Sequence, residues 1–130
     1  QSALDASIAY TLQRKQFGKL IAGHQLIQGL LAEMVTELEA ARLLVYRALW
    51  LLSAGTRCEL EAAVAKSFAT EAAQRITSKA IKIHGAFGLT PEFPVERHFR
   101  NARLLTIPDG TTQINQLIIG RKLTGIDAFA

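Results

Sequence analysis

Hydrophobic residues recur every three or four positions along most of the chain, which is the spacing of an α-helix. The clearest stretch runs from about residue 25 to residue 54. Its apolar positions are Leu26, Leu30, Val35, Leu38, Leu44, Val45, Leu49 and Leu52. Gly55 follows the stretch and provides a natural helix stop. With a rise of 1.5 Å per residue this helix is about 45 Å long, enough to form the spine of a bundle.

Four more segments carry helical patterns. Residues 1–16 repeat apolar side chains at every fourth position, and residues 59–83 present a face of mostly small side chains that allows close helix approach. After a loop at 85–94, a short helix is expected at about 95–105 and a last one at about 112–123. The apolar positions of the first and last helices are Leu4, Ile8, Leu12, Ile114, Leu117, Ile118 and Leu123.

These segments predict an all-α fold, an antiparallel up-down four-helix bundle with a short extra helix, formed by residues 1–130 as one domain. Apolar residues make up 49% of the chain and charged residues 20%, which is typical of a globular protein and not of a disordered one. The chain begins at Gln1 inside a helical pattern and without an initiator methionine. We therefore expect it to be a fragment of a longer protein.

Charge and cysteine content exclude several classes of function. The net charge is +4, but the basic residues are spread along the chain and form no basic tail, so nucleic-acid binding is the weakest hypothesis. No signal peptide and no long uncharged run are present, so we expect no membrane span. Cys58 is the single cysteine, which excludes an internal disulfide and a cysteine-rich metal site and favours a reducing, intracellular compartment.

The candidate chemistry is concentrated in the segment 107–113, which interrupts two helical patterns. Its Pro-Asp-Gly sequence is a strong turn signal, and the threonine pair that follows is able to cap the next helix. The segment therefore presents Asp109 beside a helix N-terminus. From these residues alone, Asp109 is either a turn aspartate that bonds its own backbone or a catalytic carboxylate, and the first fate is the commoner one.

Two other segments each allow two interpretations. The segment 14–18 either offsets a helix dipole with its cations, or binds a phosphate through Arg14 while Phe17 packs on a ring. The segment 82–88 is a glycine-containing turn at a helix end, and it is not a dinucleotide fingerprint because no strand precedes it. The three histidines, which are His24, His84 and His98, lack metal-ligand spacing, so we expect no metal site.

Taken together, short blocks along almost the whole chain resemble the C-terminal helical domain of the acyl-CoA dehydrogenases. In order they are Arg14-Lys15-Gln16-Phe17-Gly18-Lys19, His24-Gln25, Leu31-Ala32-Glu33-Met34, Ala65-Lys66 with Ala69, Ile83-His84-Gly85-Ala86-Phe87-Gly88, Pro94-Val95-Glu96-Arg97, Arg100-Asn101-Ala102-Arg103 and Asp109-Gly110-Thr111-Thr112-Gln113. Each block is weak alone, but the order and spacing of all eight are specific.

The resemblance implies an FAD-dependent oxidoreductase acting on CH–CH groups. It assigns Asp109 to the carboxylate that removes the α-proton of an acyl thioester, and Gly110 to a position close to the substrate. The residues that it implies for FAD contact are Arg14, Gln16, Phe17, Gln25, Lys82, Gly85, Ala86, Thr111 and Gln113. The first four match residues that reach the FAD of a neighbouring subunit, and the next three match the loop along its ADP half.

The same resemblance implies the partners. They are an acyl-CoA or carrier-protein-bound acyl thioester, electron-transfer flavoprotein or a similar electron acceptor, and further copies of the chain in a dimer of dimers. The expected compartment is the cytoplasm, or the mitochondrial matrix in a eukaryote. An N-terminal helical domain and a middle β-domain would precede this one in the whole protein.

The chain also departs from the family pattern. The base is Asp109 after Pro108, where the family usually has Glu after Tyr, so the carboxylate is one methylene shorter and needs burial to become a competent base. Lys82 stands in place of Gln, Ala86 in place of Gly and Asn101 in place of Asp. An unusual substrate, such as a cyclic acyl-CoA, fits these departures. So does the alternative of an inactive family-derived bundle that serves oligomerisation or partner binding, and a base upstream of Gln1 also stays open.

Overall fold

One long helix, Glu59–His84 (α3), lies at the centre of the fold and packs against the other four α-helices described for residues 1–128. This computed structural model describes residues 1–128. Its α-helices are Ser2–Thr11 (α1), Gln25–Ser53 (α2), Glu59–His84 (α3), Val95–Leu104 (α4) and Thr112–Thr124 (α5). Because α3 contacts α1, α2, α4 and α5, the predicted helical bundle with a short extra helix is confirmed.

The hydrophobic core lies where four helices meet along the second half of α3. Its buried members are Ala3, Leu4, Met34, Ile76, Ala80, Ile83 and Val95. Burial of a large apolar side chain such as Met34, which is 0% exposed, contributes about 1.5–3 kcal/mol to stability. This packing fixes the C-terminal end of α3 against α1 and α4.

Charged side chains add a second contact between α2 and α3. Lys79 on α3 lies 3.1 Å from Glu33 and 3.0 Å from Glu37, and Arg75 lies 3.1 Å from the same Glu37. Burial alone would lower the pKa of Lys79, but its hydrogen bonds to Glu37 and Glu33 outweigh burial and raise the pKa. These ion pairs hold the register of the long helix pair far from the turn at residues 107–110.

The first helix is shorter than the sequence predicts. α1 ends at Thr11 and not at residue 16, because Lys15–Gln16 (β1) and Lys19–Leu20 (β2) form a small antiparallel hairpin, followed by a 3₁₀ turn at Ile21–Gly23. Phe17 and Gly18 have φ values of +52° and +76°, as in the two-residue hairpin turns that match strand twist. A helical pattern could not reveal this turn.

The apolar periodicity also misidentifies part of the buried surface. Leu49 and Leu52 of α2 are exposed, whereas the buried residues of that helix are Met34, Ala41 and Ala48. Ile8 and Leu12 near the end of α1 are likewise exposed. The buried positions there are Ser7 and Thr11, whose hydroxyls donate to the backbone carbonyls of Ala3 and Ile8 at 2.7 and 2.8 Å.

Helix ends agree better with the sequence. Gly55 follows α2 with a φ of +71°, and the hydroxyl of Thr111 accepts a hydrogen bond from the amide of Ile114 at the start of α5. Part of the predicted loop after α3 is a 3₁₀ helix, Gly85–Leu89. Across residues 1–128, no helix is long and apolar enough to cross a membrane, and no three His, Cys, Asp or Glu side chains cluster as metal ligands.

Candidate functional site

A cavity of about 470 Å³ lies between the hairpin and the C-terminal end of α3, and we call it the hairpin cavity. It brings together two segments that are about seventy residues apart in the sequence. Its lining residues are Tyr10, Arg14, Gln16, Phe17, Ile21, His24, Leu26, Ile27, Ile83, His84, Gly85, Ala86 and Phe87. Five of the nine residues expected to contact FAD are therefore neighbours here.

The hairpin presents a cation and an aromatic ring at the rim of this cavity. The Arg14 guanidinium lies 5.9 Å from the centre of the Phe87 ring, which joins the hairpin to the loop after α3. Phe17 is 93% exposed at the tip of the hairpin, and its ring meets the edge of the His24 imidazole. His24 in turn donates to the backbone carbonyl of Gln16 at 3.3 Å, which ties the first strand of the hairpin to the start of α2.

A buried histidine forms part of the cavity wall. His84 donates from Nδ1 to the backbone carbonyl of Ala80 at 2.8 Å, so the unprotonated Nε2 is the acceptor. Nε2 is buried and has no partner within residues 1–128. The His84 ring stacks on Tyr10 and contacts Phe93. Burial lowers the pKa of His84, and the bond to Ala80 opposes this only in part, so the ring stays neutral at pH 7.

The composition of the hairpin cavity suits a ligand that carries both a phosphate and a flat ring. Arg14 supplies a planar cation for a phosphate, Gln16 supplies an amide, and the aromatic wall suits a ring. Beside Gly85 the space is open, since a Cβ built there meets no atom within 4 Å. A ligand backbone is therefore able to approach the loop closely.

The other residues expected to contact FAD lie elsewhere. Gln25 and Lys82 are exposed next to the cavity but do not line it. Thr111 and Gln113 stand at the N-terminus of α5, where Thr111 caps the helix. That end of the bundle packs on the first half of α3, where Thr112 donates to Glu71 and Lys66 donates to Pro108. Along the helix axis Lys66 lies about 24 Å from Lys82, at a rise of 1.5 Å per residue. The expected residues therefore form two groups at opposite ends of α3.

Asp109 lies beside Thr111 and Gln113 of the second group, on an exposed turn. Its φ is +56° and that of Gly110 is +92°. A left-handed conformation costs a residue other than glycine about 1–2 kcal/mol, although aspartate tolerates it better than most. Within the described part of the chain, the Asp109 carboxylate accepts no hydrogen bond and forms no salt bridge. The structure thus does not show the self-bonded turn aspartate that is the commoner alternative.

Three side chains from α3 and α5 hold this turn. Lys66 donates to the carbonyls of Pro108 at 2.7 Å and Gly110 at 3.2 Å. Asn115 donates to the same Gly110 carbonyl at 2.9 Å. The Thr112 hydroxyl donates to Glu71 on α3 at 2.7 Å. Asp109 faces a cavity of about 450 Å³, here called the turn cavity, whose lining includes Lys66, Asn115 and Arg121.

Sequence reasoning missed the supporting residues of both groups. His84 carried no signal beyond its position in a glycine-containing turn, and its contact with Tyr10 joins residues 74 positions apart. Lys66 was visible only as part of an Ala-Lys block. A lysine in the middle of a helix gives no indication of which carbonyls it reaches, so only the folded structure identifies its role.

Comparison with known proteins gives a consistent result. The chain matches the family described as acyl-CoA dehydrogenase, C-terminal domain, over residues 1–124. It is 46% identical over 123 residues to subunit CarC of the caffeyl-CoA reductase–Etf complex of Acetobacterium woodii, covering 95% of this chain and 32% of that protein. It is 41% identical to cyclohexane-1-carbonyl-CoA dehydrogenase of Geobacter metallireducens, with the same coverage.

A solved structure agrees with these sequence matches. Butyryl-CoA dehydrogenase of Megasphaera elsdenii superposes with a TM-score of 0.92 at 39% identity, covering 93% of this chain and 32% of that one. The chain thus spans about a third of the length of the proteins it matches.

Proposed function

The chain belongs to the acyl-CoA dehydrogenase family, as its C-terminal domain, and on that premise we propose that it is part of a longer FAD-dependent acyl-thioester dehydrogenase. In this proposal Asp109 takes the α-proton of the thioester. FAD, held by this domain and its neighbours, would supply the acceptor that takes the β-hydrogen as hydride. We refer below to the longer protein as the whole protein.

The observation that carries the proposal is that Asp109 combines an unpartnered carboxylate with a fixed backbone. Its carboxylate has no partner within residues 1–128, although it stands on a backbone turn held by three side chains. A carboxylate without a fixed partner is free to accept a proton, and a fixed backbone sets the direction from which it does so. The backbone amide of Asp109 is proposed to donate to the thioester carbonyl, where negative charge develops as the α-proton leaves.

Asp109 is exposed in this domain, so we propose that the substrate and the preceding domains cover it in the whole protein. Removal from water disfavours the ionised form of a carboxylate and makes it a stronger base. The turn cavity provides the wall of Ala62, Ala63 and Ile118 against which such a cover could pack. Gly110, next to Asp109, is proposed to lie close to the acyl group.

The hairpin cavity is proposed to hold the ADP half of FAD, with Arg14 on the pyrophosphate and Phe17 against a ring. The fit rests on its planar cation, its amide and the open space beside Gly85. Thr111 and Gln113 are proposed to contact a different FAD, because they lie at the opposite end of α3. In this proposal the FAD at the hairpin cavity is bound mainly by a neighbouring subunit. The FAD near the start of α5 is bound by the subunit to which that helix belongs.

This sharing of FAD requires an oligomer, and we propose a dimer of dimers. α2 carries exposed apolar side chains three and four residues apart, which places them on one face of the helix. They are Leu43, Tyr46 and Trp50, which are 66%, 59% and 67% exposed. A contiguous exposed apolar face of this kind marks an interaction surface. We propose that this face packs against another copy of the chain.

The proposed substrate is an acyl-CoA, or a carrier-protein-bound acyl thioester, with a bulky or cyclic acyl group. Two relatives are named for caffeyl-CoA and cyclohexane-1-carbonyl-CoA, and the shorter carboxylate of Asp109 leaves more room at the α-carbon than Glu would. Electron-transfer flavoprotein is the proposed electron acceptor, since CarC is named as part of an Etf complex.

The test is the anaerobic bleaching of flavin in the whole protein by butyryl-CoA and cyclohexane-1-carbonyl-CoA. Asp109→Asn should slow bleaching by about 10²–10⁴-fold, the usual contribution of a general base. The control is Asp5→Asn, which changes an exposed aspartate on α1 and should bleach normally. An unchanged rate in Asp109→Asn would remove this residue from the mechanism. A colourless protein that takes up no FAD would favour the inactive bundle.

A further inference from the structure

Lys66 contacts the backbone on both sides of Asp109. From the second turn of α3, its ammonium donates to the carbonyl of Pro108 at 2.7 Å and to that of Gly110 at 3.2 Å. These two carbonyls belong to the residues directly before and after Asp109. One ammonium group therefore joins the two ends of a three-residue segment that has Asp109 at its centre.

This contact restrains the orientation of the Asp109 side chain. Asp109 and Gly110 both have positive φ, so the segment bends sharply and its carbonyls do not pair with backbone amides of a helix. The direction of the Asp109 Cα–Cβ bond depends on the orientation of the peptide planes on either side. Asn115 restrains only the side that follows Asp109, through the carbonyls of Gly110 and Thr111. Among the side chains of residues 1–128, Lys66 alone donates to the carbonyl of Pro108, on the side that precedes Asp109.

The ammonium does not neutralise the carboxylate. Lys66 and Asp109 both line the turn cavity, but they form no salt bridge in the part of the chain that the structure describes. The lysine uses its protons on backbone carbonyls, and the carboxylate keeps its own lone pairs. A direct ion pair would fix Asp109 at the cost of its ability to accept a proton, whereas this arrangement fixes the backbone and leaves the side chain available.

We propose that Lys66 is a positioning residue for Asp109: by holding the carbonyls of Pro108 and Gly110 together, it fixes the direction in which the carboxylate meets the substrate. The proposal rests on the proposed function for the role of Asp109 as base. In this proposal Lys66 acts through the backbone on either side of Asp109 and does not itself contact the substrate or the flavin. Its removal should slow proton abstraction while substrate and FAD still bind.

The test compares Lys66→Met and Lys66→Gln in the whole, FAD-loaded protein. Gln keeps a polar end group and serves if the Met variant does not fold. The control is Lys79→Met on the same helix, which loses the ion pairs to Glu33 and Glu37 but leaves the turn intact. Two readouts are measured: the rate of flavin bleaching by cyclohexane-1-carbonyl-CoA, and hydrogen–deuterium exchange of the peptide covering residues 105–113 before substrate is added.

The backbone amide of Thr112 donates to the carbonyl of Thr106 across this turn. Both Lys66 variants should loosen the turn and expose this amide more often, so residues 105–113 should exchange faster. They should bleach about 10- to 100-fold more slowly at saturating substrate, with an apparent KM within about threefold of the wild type, as a misplaced catalytic group would produce. Lys66→Arg, which keeps the charge and the donors, should recover part of the rate. Lys79→Met should lower the Tm and change neither readout.

A double variant separates positioning from general destabilisation. In the Asp109→Asn background, adding Lys66→Met should cause no further loss of rate, since the group that Lys66 positions is already gone. A folded Lys66 variant that bleaches and exchanges like the wild type, while Asp109→Asn is slow, would overturn the proposal. If Asp109→Asn itself bleaches normally, the proposed function fails instead, and the exchange measurement shows whether Lys66 still holds the turn.

Discussion

The imidazole of His84 stacks on the phenol ring of Tyr10, with centroids 4.3 Å apart and planes inclined by 24°. The pair joins the last residue of α3 to the end of α1. Phe93 meets the edge of the Tyr10 ring at 5.2 Å and closes the cluster on the α4 side. Because Tyr10 and His84 also line the hairpin cavity, the shape of that cavity depends on this contact.

The neutral state of His84 makes stability depend on pH. Burial holds the pKa of His84 below its ordinary value of 6.5. As the pH falls, His84 is therefore protonated at a higher pH in the unfolded chain than in the folded chain. The stabilisation is complete above pH 6.5 and is lost as the pH falls from 6.5 towards the folded pKa, by at most about 1.4 kcal/mol per pH unit. Urea unfolding of the whole protein between pH 8 and pH 5 measures this loss.

His84→Phe keeps a ring in the cluster and removes the titrating group, so its stability should fall less over the same pH range. The remaining titratable groups contribute the same pH dependence to both proteins. The difference between the two profiles therefore isolates the contribution of His84. Parallel profiles for the two proteins would show that His84 is not responsible.

Gly88 is required for the turn after α3. A Cβ at this position would lie 2.7 Å from the backbone oxygen and 2.9 Å from the Cα of Ile81, and backbone atoms cannot move aside as a flexible side chain would. Gly88→Ala should therefore destabilise the protein by about 1–3 kcal/mol. The control is Gly29→Ala on α2, where a Cβ meets nothing within 4 Å and the change should stabilise by about 0.5–1 kcal/mol. Thermal unfolding of both variants checks the pair, and equal Tm values would refute the steric argument.

Arg14 should contribute to FAD affinity and its neighbour should not. Arg14 lines the hairpin cavity, whereas Lys15 is exposed on β1 and does not. Arg14→Met should weaken FAD binding to the whole apoprotein by roughly 10- to 100-fold, the effect of losing a charge-assisted hydrogen bond to a phosphate. Lys15→Met removes the same charge next door and should change the Kd by less than about threefold. Quenching of FAD fluorescence measures both, and equal losses would indicate long-range attraction and no specific contact.

The sequence predicted the long helices well and the first one poorly. The second and third predicted helices, 25–54 and 59–83, correspond to Gln25–Ser53 and Glu59–His84, because local signals such as Gly55 and Gly85 mark their ends. α1 was predicted too long because the hairpin depends on a positive φ at Phe17, a residue type that rarely adopts it. Nothing in the local sequence indicates that conformation.

The site was predictable only in part for a similar reason. The turn at Pro108 and Gly110 follows from residue types whose backbone preferences are local. The contact from Lys66 to these residues spans more than forty positions and depends on how α3 packs against α5. Periodicity placed Leu49 and Leu52 on an apolar stripe of α2 but did not show that these two side chains are exposed on the outside of the domain. Such information is absent from any single segment.

The exposed stripe on α2 gives a prediction about assembly. Replacing Leu43 and Trp50 together with Glu should lower the mass of the whole protein, measured by light scattering, because the added charges would be buried at the proposed interface without partners. Helicity should be kept, since both side chains are about two-thirds exposed within the domain. The control places the same two charges on the same helix at Thr36 and Ser53, which are exposed polar positions, and should retain the wild-type mass. If both double variants keep that mass, the stripe is not the contact between copies, and the FAD at the hairpin cavity must come from a neighbour that docks through another face.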